Sequence, residues 1–416
     1  MKISFSCVII LCVLSLNAQI EISGIVRDSL TNEILPFASI SLTESYAGTT
    51  TNEFGQFKVL VPNESIEDSL NFSFMGYKSL KIALRDCPTY IEIALPPFAY
   101  QIQEVVISPK PPEFYIKQFQ IYRDSNYVNI PFGTTAFYRE QITENGAHVM
   151  HSEAIFKSFY PDYRGDKKNQ HQVMLYRERD DIQEIEFMKE RREKYERKEI
   201  KRAKKEGREI SEEEVEILQS LNGPENILDL DFIKRPHLFL DSAHFKKYNY
   251  ELEQRTFFDG HEIIVISFEA RRNLENMRSK GKIYIDAENY AIASLEYYGH
   301  FIIPAYLKPI LFAFGLGIDK PRYDVRLNYR EIGNQWYPDQ LYMNVNLNMT
   351  HKRLWKKNTK SNFEMEGFFG VNQLKIHELS PIPKLKRFDE EKEMKDQIFP
   401  EAGISWEGVN VVTRRK

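Results

Sequence analysis

The chain has 416 residues, of which 42% are hydrophobic and 28% are charged. A chain of this length is too long for a single hydrophobic core, and its composition is too apolar for a disordered protein, so two or three folded domains are expected. Lys and Arg number 56 against 60 for Asp and Glu, and the resulting lack of a basic field excludes nucleic acid as a partner.

The N-terminus has the pattern of a secretory signal peptide over residues 1–18. Lys2 supplies the positive charge, residues 3–16 are apolar, and Ala18 is the small residue at the expected cleavage site. The run is shorter than the roughly 20 apolar residues that cross a bilayer, which disfavours an uncleaved anchor. The mature chain is predicted to begin at Gln19, to have no transmembrane helix, and to be exported to the periplasm or the outer membrane.

Residues 19–107 contain short alternating or β-branched runs that are separated by turn residues. Runs of this length and spacing predict a compact antiparallel β-sandwich. The predicted strands cover residues 20–26, 38–42, 56–61, 71–74, 78–84 and 90–95. Cys87, the one cysteine left after cleavage, has no disulfide partner and is expected to be a small buried apolar residue.

Four motifs follow one another in this domain: Ile22-x-Gly24-x-Val26-x-Asp28, Leu35-Pro36-x-Ala38-x-Ile40, Gly48-Thr49-x-Thr51-Asn52-x-x-Gly55-x-Phe57 and Ser73-Phe74-x-Gly76-Tyr77. Together they resemble the carboxypeptidase-regulatory-like domain, a transthyretin-like sandwich common in envelope proteins of Bacteroidota. In that family the module often precedes the plug and barrel of TonB-dependent receptors. The about 310 residues after Ile107 are too few for such a barrel of some 22 strands.

Although the family is named after carboxypeptidases, the sequence does not contain the histidine and glutamate spacing of a zinc peptidase site. A zinc carboxypeptidase needs a His and a Glu three residues apart and a further His. None of the nine histidines is followed at that spacing by Glu, namely His148, His151, His171, His237, His244, His261, His300, His351 and His377. The chain is therefore predicted not to be a zinc carboxypeptidase.

A Pro-rich linker is predicted at residues 108–112, because clustered prolines favour an extended chain. A β-rich domain over residues 113–416 follows, and it begins with an amphipathic helix at residues 114–126. Alternating apolar and polar residues then predict a large, curved antiparallel sheet, so the fold class is mainly β. The predicted strands are residues 134–141, 148–159, 172–176, 248–257, 262–270, 281–285, 291–298, 323–332, 340–349 and 362–371.

Two resemblances concern this second domain. Gly281-Lys282-Ile283-Tyr284-Ile285-Asp286 with Tyr290-Ala291-Ile292 resembles the strand-turn-strand repeat of lipoprotein-carrier folds, in which an unclosed β-barrel holds an apolar ligand. A hairpin that turns at residues 286–289 in any sheet has the same pattern, so a half-barrel is one of two alternatives. Ala136-Phe137-Tyr138-Arg139-Glu140 and Trp406-Glu407-x-x-Asn410 resemble Bacteroidota proteins that join a regulatory-like module to an uncharacterised β-rich domain.

Two inserts interrupt the predicted sheet. Residues 182–220 are rich in interspersed charges and contain a capping-box spacing at Ser211, which predicts a solvated helix, with a partner-docking arm as the alternative. Residues 301–317 are apolar, but they are too short to span a membrane and are interrupted by Pro304, Lys308 and Pro309. They are predicted to be a buried helix, a lid over a cavity or a patch that contacts lipid.

The sequence contains no motif for catalysis, cofactor binding or metal binding, so no catalytic, cofactor or metal residue is predicted. The nucleophile elbow, the P-loop and the dinucleotide-binding motif are absent. His148 and His151 are the nearest approach to a metal pair, but on a strand they are expected to point to opposite faces. Asp180-Asp181 and Asp229-x-Asp231 are carboxylate pairs whose separation in space the sequence does not reveal.

These observations predict a non-enzymatic cell-envelope protein that binds a ligand or acts as a scaffold, with the sandwich as a spacer or docking module. Its expected partner is an envelope protein or a hydrophobic ligand. Two alternatives are a lipid or lipoprotein carrier with a half-barrel cavity and a gate at residues 301–314, and a hydrolase with an unfamiliar site.

Overall fold

The computed structural model describes residues 19–44, 46–62, 65–98, 110–163, 167–185, 189, 223–234, 236–274, 277–303, 316–319, 321–352, 357–401 and 404–406. The predicted signal peptide lies outside the described residues, as do residues 108–109 of the predicted linker. Most of the charged insert and residues 304–315 of the apolar insert also lie outside them.

The N-terminal unit is a β-sandwich, as predicted. Its strands are β1 (Gln19–Asp28), β2 (Ser39–Leu42), β3 (Gly48–Thr50), β4 (Gln56–Pro62), β5 (Ser69–Ser73), β6 (Leu80–Ala83) and β7 (Tyr90–Leu95). They form a three-stranded sheet in the order β4-β1-β7 and a four-stranded sheet in the order β3-β2-β5-β6. Val26, Phe57 and Phe72 are buried in one core between the two sheets, because alternate side chains of each strand point inward.

One strand pair differs from the predicted antiparallel arrangement, because β1 and β7 run parallel. The chain crosses from one sheet to the other between β6 and β7, and a local turn pattern does not reveal such a crossing. The two strands approach closely at Gly24, where a Cβ would lie 1.9 Å from the carbonyl oxygen of Ile91. This approach explains the glycine of the first family motif.

We expect Gly24→Ala to lower the free energy of unfolding by about 1–3 kcal/mol, because the added methyl group forces β1 and β7 apart. Denaturant unfolding measures the change. Gly317→Ala is the matched control, since the nearest atom to a Cβ there is 3.8 Å away. Equal unfolding midpoints for the two variants would contradict the close approach of β1 and β7.

The second unit is built on one twelve-stranded sheet that is not closed. Its strands are β8 (Phe132–Glu144), β9 (Ala147–Tyr160), β10 (Gln170–Glu178), β11 (Tyr248–Leu252), β12 (Thr256–Phe258), β13 (His261–Ala270), β14 (Met277–Asp286), β15 (Ile292–Phe301), β16 (Leu316–Ile318), β17 (Arg322–Ile332), β18 (Gln335–His351) and β19 (Thr359–Lys375). The order is β10-β9-β8-β19-β18-β17-β15-β14-β13-β11, with β12 beside β13 and β16 beside β18. All of these pairs are antiparallel, so the predicted fold class is confirmed.

The predicted strands of this sheet are present, but their ends differ. The strand predicted at residues 248–257 is divided into β11 and β12, because residues 253–255 leave the ladder. β18 has 17 residues, more than the prediction of residues 340–349. Polar residues such as Gln335 and His351 continue the ladder at the ends of β18, and a count of apolar alternation stops before them.

One face of the large sheet, here called the inner face, is covered by α1 (Pro112–Asn126) and by residues 223–234 and 236–247, which include α2 (Glu225–Leu228). Ile116, Phe119 and Phe239 of these segments are fully buried. They belong to one core that includes side chains of both edge strands, β10 and β11. α1 begins within the predicted linker, because proline suits the first helical position. Among the described residues, no helix is both long and apolar enough to cross a membrane.

Phe37 of the sandwich packs against Tyr342 and Phe368 on the opposite face of the sheet, here called the outer face. Ala47 forms a β-bridge with Gln373, which belongs to β19. The backbone N–H of Gly76 donates a hydrogen bond to the carbonyl oxygen of Phe257 at 2.9 Å. The rings of Phe98 and Phe257 stack with their centroids 5.1 Å apart. The sandwich and the β-rich unit are thus joined by direct contacts.

Candidate functional site

A cleft of about 110 Å³ lies between the sandwich and the outer face of the sheet. Its lining side chains come from both units and combine aromatic with charged groups. They include Phe37, Phe74 and Met75 of the sandwich and Glu296, Arg326 and Tyr342 of the sheet. Concave sites that are mostly apolar with a few polar groups are the usual form of ligand sites.

Phe37 joins the two units at this cleft. Its ring centroid lies 5.8 Å from that of Tyr342 and 6.1 Å from that of Phe368, both on the outer face. Its φ is 61°, in the left-handed region that bulky residues rarely adopt. Such a conformation costs on the order of 1–3 kcal/mol and persists only where surrounding contacts hold it. A strained aromatic residue that lines a cleft makes this place a candidate functional site.

The polar wall of the cleft is formed by outer-face side chains. Arg326 Nε lies 3.4 Å from Asp324 Oδ1, and the guanidinium lies 5.8 Å from the ring centre of Tyr342. Glu296, directly opposite Arg326 in the register of β15 and β17, accepts a hydrogen bond from Tyr284 at 3.3 Å. Burial raises the pKa of Tyr342 to about 12, so its hydroxyl stays protonated. The wall therefore offers charges of both signs.

A second cluster joins a serine, a histidine and a carboxylate on the inner face. Ser158 of β9 lies opposite His171 of β10, and its hydroxyl is 2.7 Å from His171 Nδ1. His171 Nε2 lies 2.9 Å from Glu225 Oε2 of α2. Asn169 Nδ2 donates to the same oxygen at 3.1 Å. Sequence reasoning missed this cluster, because no motif connects residues 13 and 54 positions apart.

This cluster has the composition of a hydrolytic triad, but its geometry differs. In that triad Nε2 of the histidine faces the serine and Nδ1 faces the carboxylate, whereas in the present cluster the two nitrogens are exchanged. Ser158 is only 2% exposed, which closes its oxygen to a substrate carbonyl. Although burial opposes the shift, hydrogen bonds from His171 and Asn169 lower the pKa of Glu225 to about 2. These features favour a structural role that fastens α2 to β9 and β10.

Asp231, one member of the carboxylate pairs in the sequence, is buried in the main core and is 4% exposed. Its carboxylate accepts hydrogen bonds from the hydroxyls of Tyr163 and Tyr329, the latter at 2.5 Å, and from the backbone N–H of Ile233 at 3.0 Å. Burial raises the pKa of both tyrosines, so they remain donors. Asp229 is exposed at the end of α2. The structure does not bring this pair into one site.

His148 and His151 approach each other, with ring centroids 5.5 Å apart. The prediction that they point to opposite faces is wrong, because a bulge between β8 and β9 shifts the register at this point. Burial, together with Arg139, lowers the pKa of His151 to about 4. In the part of the chain that the structure describes, no three His, Cys, Asp or Glu residues converge on a metal position. Asp181 of the other carboxylate pair forms an ion pair with Arg179 at 2.6 Å.

His261 lies between two carboxylates at the end of the sheet. Its Nδ1 is 2.6 Å from Asp286 Oδ2, and its Nε2 is 3.0 Å from Glu331 Oε2. These two hydrogen bonds raise the pKa of His261 to about 10, so the imidazole is charged at neutral pH. The other oxygen of Asp286 accepts two backbone hydrogen bonds and closes the turn that was predicted at residues 286–289.

The free energy of unfolding is expected to depend on pH through His261. Because the folded-state pKa is raised from its ordinary value of 6.5 to about 10, the contribution is fully present below pH 6.5 and is lost as the pH rises through about 10. Denaturant unfolding at about pH 6, 8 and 10 compares the native chain with His261→Gln. The difference between the two proteins should shrink with rising pH, and a constant difference would contradict a charged His261.

A comparison with known protein families supports the prediction that was made for the first domain. Residues 22–107 match the family model of the CarboxypepD_reg-like domain. The N-terminal sandwich is therefore a carboxypeptidase-regulatory-like domain, as its motifs predicted. No curated protein sequence matches the chain.

Three solved structures share a low similarity with the chain. A domain assigned to outer membrane lipoprotein sorting in Vibrio parahaemolyticus has 9% identity and a TM-score of 0.23, over 65% of this chain and 94% of that domain. A DUF1329 family protein from Desulfovibrio piger has 12% identity and a TM-score of 0.25, over 65% of this chain and 96% of that protein's chain. A membrane-associated protein of unknown function from Bacteroides fragilis has 10% identity and a TM-score of 0.16, over 86% of this chain and 99% of that protein's chain. TM-scores this low do not establish a shared fold or function.

Proposed function

We propose that this protein is a non-enzymatic component of the cell envelope that binds a ligand in the cleft between its regulatory-like domain and its β-rich unit. The observation that carries the proposal is Phe37, held at a φ of 61° against two rings of the outer face while it lines the cleft. The arrangement makes the regulatory-like domain one wall of the site. Its function is then to complete a binding surface.

The envelope location is part of this proposal and rests on two observations. Residues 1–18 have the charge, apolar run and small residue of a secretory signal peptide. The domain that follows matches the regulatory-like family, and its motifs resemble those of envelope proteins. Fractionation of the native cells should place the mature chain in the periplasm or with the outer membrane, and recovery in the cytosol with Met1 intact would contradict this location.

The test of binding is a thermal-shift screen of the full mature chain against envelope lipids, peptides and glycans. A ligand of one class should raise the melting temperature, and Arg326→Ala should weaken that effect. Arg278→Ala is the matched control, because Arg278 pairs with Glu269 on the exposed surface and does not line the cleft. A ligand effect that persists equally in both variants would contradict the assignment of the cleft.

The absence of catalysis is tested with fluorogenic ester, peptide and glycoside substrates. We expect no turnover, because Ser158 is inaccessible and its histidine has the nitrogens exchanged relative to a hydrolytic triad. Turnover that disappears in Ser158→Ala, with an unchanged melting temperature, would establish the hydrolase alternative instead.

A lipid or lipoprotein carrier is the second candidate, and one apolar cluster favours it. Beyond the main core, Ile142, Met349 and Phe363 pack together, with half-buried Met150 and Met365 beside them. Methionine-rich surfaces adapt to apolar ligands of varied shape. α1 and residues 223–234 and 236–247 fill much of the remaining inner face, so an acyl chain would have to lie at this end. Met365→Lys should then remove a lipid adduct seen by native mass spectrometry, whereas Arg326→Ala should leave it unchanged.

A further inference from the structure

We infer that the ligand of the cleft is a neutral oligosaccharide, which extends from the cleft along a row of amide and carboxylate side chains on the outer face. This inference rests on the proposed function and names its ligand class. The row, here called the amide array, consists of Asn344, Asn346, Asn348, Asn362 and Glu364.

The amide array continues directly from the cleft. Asn344, Asn346 and Asn348 alternate along β18, and the two-residue period of a strand places them on the same face as Tyr342, which lines the cleft. In the register of β18 and β19, Asn346 lies opposite Glu364 and Asn348 lies opposite Asn362. Opposite residues of an antiparallel pair share a face. The array therefore forms a two-strand track that begins at the cleft.

Folding requires a polar outer face here, but it does not require that the polar residues be asparagine. Asparagine is disfavoured in strands, because its side chain competes for backbone hydrogen bonds. The core needs only the apolar residues that alternate with the asparagines, such as Val345 and Leu347, which contact the apolar clusters. Asn344, Asn346 and Asn362 are half-buried and Asn348 is exposed, so the array lies at the surface. We therefore attribute the three asparagines at alternate positions of one strand to the binding of a ligand.

The amides are held in fixed orientations by one another. Asn362 Nδ2 donates to the side-chain oxygens of Asn346 and Asn348, each at 3.1 Å. Asn344 Nδ2 donates to Glu364 Oε1 at 2.8 Å. An amide has two N–H donors and an oxygen with two lone pairs, so these contacts leave hydrogen-bonding capacity for a ligand. Adjacent donors and acceptors suit hydroxyl groups, because each hydroxyl both donates and accepts.

The charges of the region favour a neutral ligand. Arg326 pairs with Asp324 at 3.4 Å and lies opposite Glu296 in the sheet. Arg322, opposite Asn346, and Lys360 of β19 lie on the same face as Glu364, so three positive charges stand beside three negative ones. A polyanion needs an excess of positive charge that this surface lacks. An acyl chain needs a continuous apolar surface, which a row of amides does not provide.

Two further features distinguish a saccharide from a peptide. Extended peptides are bound mainly through backbone hydrogen bonds at the edge of a sheet, whereas the array lies on the face of β18 and β19, which both have neighbours on each side. At the cleft, the rings of Phe37 and Tyr342 provide aromatic surfaces against which the C–H face of a sugar ring can pack. The cleft then holds one end of the chain and the array holds the following rings.

Isothermal titration calorimetry of the full mature chain with maltohexaose, cellohexaose, xylohexaose, mannohexaose and chitohexaose tests the inference. At least one of these saccharides should bind, and the double variant Asn344→Ala, Asn346→Ala should weaken binding by about tenfold or more. Asn249→Ala is the matched control, because Asn249 is an exposed strand asparagine of β11 at the edge of the sheet. It should bind as tightly as the native chain.

The outcomes separate this inference from the proposed function. If none of the saccharides binds, the saccharide inference is overturned, and the binding function stands if a lipid or a peptide raises the melting temperature. If a saccharide binds equally well to the double variant, the array is not its site and the inference is also overturned. Should the double variant fail to fold, Asn348→Ala at the exposed end of the array provides the same comparison, because it removes no buried contact.

Discussion

Replacing Asp231 by alanine is expected to lower the free energy of unfolding by about 4 kcal/mol. The substitution removes the acceptor of two tyrosine hydroxyls and one backbone N–H in the buried core. Each buried donor that loses its partner costs about 1–3 kcal/mol. Denaturant unfolding followed by circular dichroism measures the loss.

The same measurement distinguishes the stability lost through the unpaired tyrosine hydroxyls from the stability lost through the carboxylate itself. Adding Tyr163→Phe and Tyr329→Phe to Asp231→Ala should restore part of the lost stability, because the unpaired hydroxyls are then absent. Asp229→Ala makes the same chemical change at an exposed position two residues away and should alter stability by less than about 1 kcal/mol. Equal losses for Asp229→Ala and Asp231→Ala would refute the buried hydrogen-bond network.

Glu366→Ala is expected to lower the free energy of unfolding by about 3–5 kcal/mol. Glu366 of β19 binds Arg139 Nη2 of β8 at 2.8 Å and accepts a hydrogen bond from Gln141 at 3.0 Å. Glu366 and Arg139 are 5% and 4% exposed. Removal of one partner of a buried ion pair leaves the other charge without that counterion in a poorly solvated place, and this penalty exceeds the value of the contact itself.

Glu269→Ala provides the comparison for the buried pair. Glu269 pairs with Arg278 at 3.6 Å, and both side chains are about half exposed. Exposed pairs contribute about 0–1 kcal/mol, because water solvates the separated charges. Replacing both Arg139 and Glu366 by methionine should cost less than Glu366→Ala alone, since no charge then remains unpaired. A double variant that is less stable than the single one would mean that the ion pair is itself strongly stabilising.

For the sandwich, local sequence patterns predicted the domain but not all of its strand pairing. Its motifs predicted the domain, and the first of them contains Gly24, whose side-chain space is occupied by a backbone carbonyl of β7. The parallel pairing of β1 and β7 was not predictable in the same way. Strand alternation records which residues are buried, but it does not record which distant strand supplies the neighbour.

The clusters of polar residues, in contrast, could not be predicted from local sequence patterns. Ser158, His171 and Glu225 belong to two strands and a short helix that only the folded chain brings together. The approach of His148 and His151 depends on a β-bulge, which an ideal strand pattern does not contain. The sequence showed the carboxylate pair that includes Asp231, but hydrogen bonds from the distant Tyr163 and Tyr329 in the buried core decided that Asp231 is a core residue.

By itself, the sequence determined the mainly β fold, the regulatory-like domain and the positions of nearly all strands, because periodicity and turn residues are local properties of the chain. The tertiary structure alone decided that the sandwich packs on the outer face, that a cleft forms at Phe37, and which of the candidate polar residues are buried. These features arise from contacts between residues far apart in the chain, and their energies depend on burial and geometry that no local pattern encodes.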